Sequence, residues 1–257
     1  MTALESLVPM VQEAGWAYAL VFFRIGAMMA VLPGFGERSV PQRIRLGIAL
    51  AFTAIVAPAL WPLDELPEPA LAILFWYLLT ETCAGLILGL ALRLAVMALQ
   101  IAGSIAAQAT SLSQLFGGAA GEPLPTLSHI FTVSALALMM ITGLHVKVAE
   151  LLIFSYGPLP LGALPGPSVL GQWGTAQVAE AFALAFSLAA PFVVLSALYN
   201  LTLGVINKAM PQLMVTFVGA PVITFGAVAM MALATPMLLS IWLARLDLLL
   251  VNPFGPR

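Results

Sequence analysis

The ionisable side chains of this sequence are few enough to weigh one at a time. Arg24 and Glu81 each stand near the middle of an apolar run, where an ionised group costs several kcal/mol unless it is paired or faces water. Two such groups of opposite sign either pair with each other or line a polar path. The alternative is that each meets a partner subunit or a lipid headgroup, because long side chains reach out of apolar stretches. Lys208 precedes Met210-Pro211-Gln212 and is expected to mark a bend, where a broken helix leaves carbonyls in need of a donor. Catalytic patterns are missing. His129 and His145 lie far apart, the carboxylates fall at no ligand spacing from them, and no glycine-rich phosphate loop occurs. His145 reads as a helix residue hydrogen-bonded within a bundle rather than as a ligand. Cys83 is the single cysteine, so it forms no internal disulfide, and inside its apolar run it serves as a small hydrophobe. The expectation is a protein that is not an enzyme and carries no cofactor or metal.

The elements that must position these groups are set by composition. Of 257 residues, 62% are hydrophobic and 8% charged, against about 25% charged in an average soluble domain. A water-soluble fold has to cover itself with polar groups and a lipid-facing one does not, so the chain is read as an all-α membrane protein. The net charge of -2 gives no footprint for nucleic acid. Glu5 and Glu13 precede the first basic residue, Arg24, the reverse of a secretory signal, and the first apolar run is expected to be retained. Six runs are candidates to cross about 30 Å of hydrocarbon: Ala14 to Pro33, Leu46 to Trp61, Ala70 to Leu92, Thr126 to Ile153, Ala181 to Asn207 and Leu213 to Leu243.

Between the third and fourth runs, Leu94 to Gly121 is uncharged but holds Gln100, Ser104, Gln108, Thr110, Ser111, Ser113 and Gln114. It reads as a helix packed inside protein or beside water, ending in a loop at Phe116-Gly117-Gly118. Gly157 to Gly174 is rich in Gly and Pro and reads as a second loop. The division is therefore 1–156, a front helical part containing a polar plug-loop segment at 94–125; 157–175, a Gly/Pro-rich connection; and 176–257, a C-terminal helical hairpin. Arg38, Arg43 and Arg45 after the first run, against Asp64, Glu65 and Glu68 after the second, orient the first loop to the cytoplasm and the N-terminus outside. Arg93 agrees with that alternation, whereas Lys147 and Lys208 do not fix it. Gly85 and Gly89 share a face of the third run, where helices can approach closely. Pro191, Pro211, Pro221 and Pro236 predict bent helices in the last two runs.

The order of these residues resembles the FliR family, whose injectisome counterparts are the SctT proteins. The resemblance rests on Arg24-Ile25-Gly26, then Pro33-Gly34-Phe35-Gly36, then Val40-Pro41-Gln42-Arg43-Ile44-Arg45-Leu46, close to the family's Val-Pro-x-Arg-x-Arg loop. It continues through Glu81 and Gly85-Leu86-Ile87-Leu88-Gly89-Leu90, His145, Ser155-Tyr156 and Leu159-Pro160-Leu161-Gly162. The most specific block is Leu203-Gly204-Val205-Ile206-Asn207-Lys208-Ala209-Met210-Pro211-Gln212-Leu213, followed by Gly219-Ala220-Pro221. Lys208 replaces a common Arg, Met214-Val215-Thr216 replaces Asn-Val-Phe, and Leu144 intrudes between Gly143 and His145.

The resemblance implies bent helical hairpins, with a front part like FliP and a C-terminal hairpin like FliQ. It implies a structural channel subunit of the flagellar type III protein export gate in the bacterial inner membrane, at the flagellar basal body. Partners would be FliP and FliQ homologues and an FlhB homologue, and substrates would be exported unfolded flagellar proteins. Arg24, Glu81 and Lys208 are then expected to serve assembly, and Pro33, Pro41, Arg43, Arg45, Pro211 and Gln212 to be family motif positions. Leu115, Phe116, Gly117 and Gly118 would plug the channel, since the family's loop at that place projects into it. In such an assembly partner helices rather than lipid would bury several runs. The alternatives are an injectisome export gate subunit or a secondary transporter; the latter should show repeat symmetry between its halves, and none is apparent.

Overall fold

The structure is a computed structural model that describes residues 2–60, 71–110, 126–210 and 215–255. Seven helices appear among these residues and no strand: α1 (Thr2–Val31), α2 (Gln42–Ala59), α3 (Leu71–Ala109), α4 (Thr126–Ile141), α5 (Leu144–Phe154), α6 (Pro167–Ala209) and α7 (Val215–Val251). Five contain a stretch long and apolar enough to cross a membrane, and α4 with α5 forms a sixth candidate bent by 74° at its break. The chain is an all-α membrane protein. At about 1.5 Å per residue, α3 and α6, of 39 and 43 residues, are about twice as long as the roughly 30 Å of hydrocarbon a crossing requires. A simple crossing therefore uses only part of either helix.

Three of the departures of helix boundaries from the apolar runs have a local cause. The fourth run is not one helix: Thr142-Gly143 divides it, and Gly143 takes φ 78° as the N-cap of α5, a left-handed conformation that glycine adopts without a Cβ penalty. The stretch from Pro167 to Gly174 is helical rather than loop; proline at a first helical position loses no hydrogen bond and has the required φ. The third run does not stop at Arg93. Helix α3 continues to Ala109, and the Arg93 Nη1 donates to the carbonyl of Val31 at 3.3 Å, so the charge caps the C-terminal end of α1 instead of ending its own helix.

The chain divides into two compact units. The first comprises Met1–Arg93, Met140–Thr175 and Asp247–Arg257. Its core is the stripe Ala17, Leu20, Arg24 and Met28 on α1, which follows the helical repeat and continues into Leu32 just past the helix end, together with Leu88 and Leu92 of α3 and Val148 and Leu151 of α5. Gly85 and Gly89 make the closeness of α1 and α3 possible. A methyl group on Gly85 would overlap the carbonyl of Arg24, and one on Gly89 would overlap the Val31 side chain. At the α1–α2 turn, buried Pro33 and Gly34 at φ 85° reverse the chain, and the ring of Phe35 meets that of Phe52 edge-on with centroids 6.3 Å apart.

The second unit comprises Leu94–Met139 and Ala176–Leu246. Phe131 and Phe192 pack edge to face at 6.4 Å, and the buried Trp242 indole donates to the Ala95 carbonyl at 2.7 Å. Gly103 lies against the backbone of Ser128. Hydroxyl groups of this unit are taken up by backbone carbonyls. Ser104 donates to the Gln100 carbonyl at 2.9 Å, Thr110 to that of Ala106 at 2.8 Å, and Ser128 also to Gln100 at 2.9 Å. Ser196 of α6 donates to the Ala109 carbonyl near the end of α3 at 2.5 Å.

Candidate functional site

The first unit encloses a polar cluster assembled from three segments. Arg24 of α1 and Glu81 of α3 are both completely buried, and they meet in a two-pronged ion pair: Arg24 Nε to Glu81 Oε2 at 2.7 Å and Nη2 to Oε1 at 3.1 Å. This planar fork is the geometry in which guanidinium and carboxylate interact most strongly. Between the two residues on the chain the sequence left several partners open; the structure joins them to each other.

The remaining capacity of both groups is spent on the turn that follows α5. Arg24 Nη1 donates to Ser155 Oγ at 3.1 Å and Nη2 to the Leu159 carbonyl at 2.8 Å. Ser155 Oγ in turn donates to the Leu152 carbonyl at 2.7 Å. The Tyr156 ring lies 3.6 Å from the guanidinium carbon, close enough for a cation–π contact. Burial pushes the Tyr156 phenol above its ordinary range; the Arg24 charge opposes that shift and Glu81 reinforces it. Glu81 Oε1 also accepts the Gly162 N–H at 3.1 Å. Gly162, at φ 72°, sits against the Tyr77 ring with no room for a Cβ, and its carbonyl accepts the Trp76 indole N–H at 2.9 Å.

A buried ion pair is stable only when its leftover donors and lone pairs also find partners, and here the 155–162 turn supplies most of them. Among the described residues, both charged groups of the cluster are already engaged. Its chemistry is that of a fastening that holds a loop against two helices.

The other sequence-selected residues lie apart from it. Pro41 is the exposed N-cap of α2, Arg43 is exposed, and half-buried Arg45 donates Nη2 to the Glu37 carbonyl at 3.0 Å. Lys208 is exposed in the last turn of α6, where a cation suits the helix dipole. His145 is exposed at the start of α5 and makes no hydrogen bond among the described residues, contrary to the expectation of a bundle-bonded histidine; as the second residue of a helix opened by Gly143, it points away from the packed face. Leu115, Phe116, Gly117, Gly118, Pro211 and Gln212 lie outside the described residues. No grouping of three metal-ligating side chains occurs among the described residues.

One pair was not anticipated. Lys147 Nζ meets Asp247 Oδ1 at 2.7 Å, with both side chains partly exposed. The two positions are 100 residues apart, and the only sequence signal is that each is a charge within an apolar stretch.

Fold and site define a helical membrane protein with a buried ion pair joining two of its helices. The chain matches the family of bacterial export proteins, family 1, over residues 16–249. It is 30% identical over 229 residues to the flagellar biosynthetic protein FliR of Caulobacter vibrioides, covering 88% of this chain and 91% of that one. It is 29% identical over 223 residues to the FliR of Escherichia coli, covering 86% and 85%, and 29% identical over 215 residues to that of Bacillus subtilis, covering 80% of each. The chain belongs to the FliR family of bacterial export proteins. It is a component of the flagellar export apparatus, located in the inner membrane at the flagellar basal body.

Proposed function

We propose that the chain is a structural channel subunit of the flagellar type III export gate, assembling with FliP and FliQ homologues and an FlhB homologue to conduct unfolded flagellar proteins. The observation that carries this reading is how little of its apolar surface the chain covers by itself, on a family match running nearly end to end. Only 17% of the α7 stretch Phe225–Val251 and 33% of Pro167–Ala209 are buried within the chain, and Phe182, Phe186, Leu198, Leu201, Phe225 and Leu233 all stand exposed. Helices twice as long as a crossing require, apolar along their outer faces, suit an assembly in which neighbouring subunits complete the burial.

In this reading residues 1–156 form a front part like FliP and 176–257 a hairpin like FliQ, joined by the 157–175 connection that the Arg24–Glu81 cluster fastens. Arg24 and Glu81 then act in assembly by fixing the shape the partners dock on, Lys208 closes α6 beside the Pro211-Gln212 motif, and Leu115 to Gly118 seal the channel at rest.

The test is co-expression of the chain with its FliP and FliQ homologues, followed by copurification and, in cells lacking the chain, measurement of motility and of flagellar protein secreted to the medium. A stable complex and restored secretion are expected. A chain that is monodisperse alone, ignores those partners and leaves secretion unrestored is not a gate subunit.

A further inference from the structure

Helix α1 carries a glycine whose presence its own fold does not require. Gly85 and Gly89 are dictated by overlap with α1, but a Cβ on Gly26 would meet nothing nearer than the Phe22 ring at 3.8 Å. Glycine inside a helix weakens it relative to alanine, so the missing side chain at 26 needs another reason. Gly26 opens onto a cavity of about 380 Å³ at the α1–α2 junction, within the roughly 300–1,000 Å³ of small-ligand sites. Phe22, Phe23, Ala27 and Ala49 form its apolar wall and Arg45 is its charged lining residue.

The charge at that lining is uncompensated. Arg45 Nε is buried without a hydrogen-bond partner, and its one bond is to a backbone carbonyl. Arg38 and Arg43 are exposed nearby in the sequence, and none of the three arginines has a salt-bridge partner among the described residues. No side chain caps α2 at Pro41, which leaves a positive helix end beside them. The outer side of α2, with Ile44, Leu50 and Ile55 exposed, is apolar as a lipid-facing surface is.

We infer that this groove binds an anionic phospholipid, its phosphate held by Arg45 in the field of Arg38 and Arg43 and one acyl chain lying past Gly26 against Phe22, Phe23 and Ala49. An amphiphile with one negative end and an apolar tail complements a groove whose lining is mostly apolar, with Gln42 and Thr82 as uncharged polar members and Arg45 as its one charged residue. The inference rests on the membrane location and not on the gate reading.

The test uses the full chain in detergent, with phosphatidylglycerol and phosphatidylethanolamine of identical acyl chains as probes and native mass spectrometry as readout. Preferential retention of one phosphatidylglycerol is expected. Arg45→Gln should weaken it about fivefold or more, and Gly26→Leu, which places a side chain in the groove, should weaken it as much while circular dichroism and elution volume stay unchanged. Should Gly26→Leu fail to fold, Arg45→Gln on a correctly eluting chain decides the matter. Equal retention of the two lipids, or phosphatidylglycerol binding untouched by Arg45→Gln, overturns the inference. So does a Gly26→Leu chain that binds the lipid normally but no longer copurifies with partner subunits, since a protein would then fill the groove.

Discussion

Removing either member of the Arg24–Glu81 pair strands the other where no water can reach it. Glu81→Ala leaves a buried guanidinium with only Ser155 Oγ, the Leu159 carbonyl and the Tyr156 ring, none of which neutralises it. Arg24→Ala leaves a buried carboxylate with only the Gly162 N–H. Each single change is expected to cost about 3–5 kcal/mol, the range for breaking a buried pair by deleting one partner. The double change removes both charges. What remains is lost packing and two backbone groups, the Leu159 carbonyl and Gly162 N–H, each costing about 1–3 kcal/mol if left unpaired. The double variant should therefore be little worse than either single one, with a coupling near the upper end of the roughly 0.5–3 kcal/mol seen for contacting residues. The assay is thermal stability of the detergent-solubilised chain by fluorescence size exclusion, repeated as yield of the copurified complex. Strictly additive losses would refute the reasoning, because they would mean that the two charges are stabilised independently of each other.

The two kinds of glycine in the α1–α3 region should respond in opposite ways: Gly85→Ala should destabilise by about 1–3 kcal/mol through overpacking against the Arg24 carbonyl, whereas Gly26→Ala should be neutral or stabilising by up to about 1 kcal/mol in the same melts. Gly143→Ala meets no neighbour within 4 Å, so its whole cost should be the strain of φ 78°, about 1–2 kcal/mol, and Gly143→Asn should recover part of it in a melting comparison. Lys147→Gln should change stability by less than about 1 kcal/mol, because the partner Asp247 is partly exposed and can be hydrated; a larger drop in melting would mean that this pair is shielded in the assembly. Deleting Leu115 to Gly118 should leave complex yield largely intact and let small ions leak across membranes holding the whole gate, and a tight membrane with normal yield would show that these residues are not the seal.

The helices were legible in the sequence because apolar runs of sufficient length leave the backbone no other way to satisfy itself in lipid. Their ends were less so. Arg93 looked like a terminus because a charge usually leaves the hydrocarbon, and nothing local shows that it reaches the Val31 carbonyl of another helix. The break at Gly143 hung on a single glycine, a residue that membrane helices also carry without breaking. Arg24 and Glu81 could be singled out by their cost, but their full environment could not. Half of it is the backbone of Leu159 and Gly162, and a carbonyl or N–H has the same symbol at every position. Lys147 and Asp247 were hidden for the opposite reason: each is ordinary alone, and only the return of α7 to the first unit brings them together.

The cluster at Arg24 also imposes an order on biogenesis. Arg24 and Glu81 leave the ribosome 57 residues apart, but Leu159 follows Arg24 by 135. While the intervening chain is being made, α1 and α3 hold a salt bridge with spare donors and a spare lone pair shut away from water. The docking of residues 155–162 is thus a late checkpoint: a nascent chain that has passed it is sealed, and one that has not still exposes polar groups to membrane-embedded chaperones and proteases. Distant contacts of this kind slow maturation. A chain stalled or truncated before Ser155 should be the form that quality control removes, and the short-lived species in a pulse-chase experiment should end before this turn.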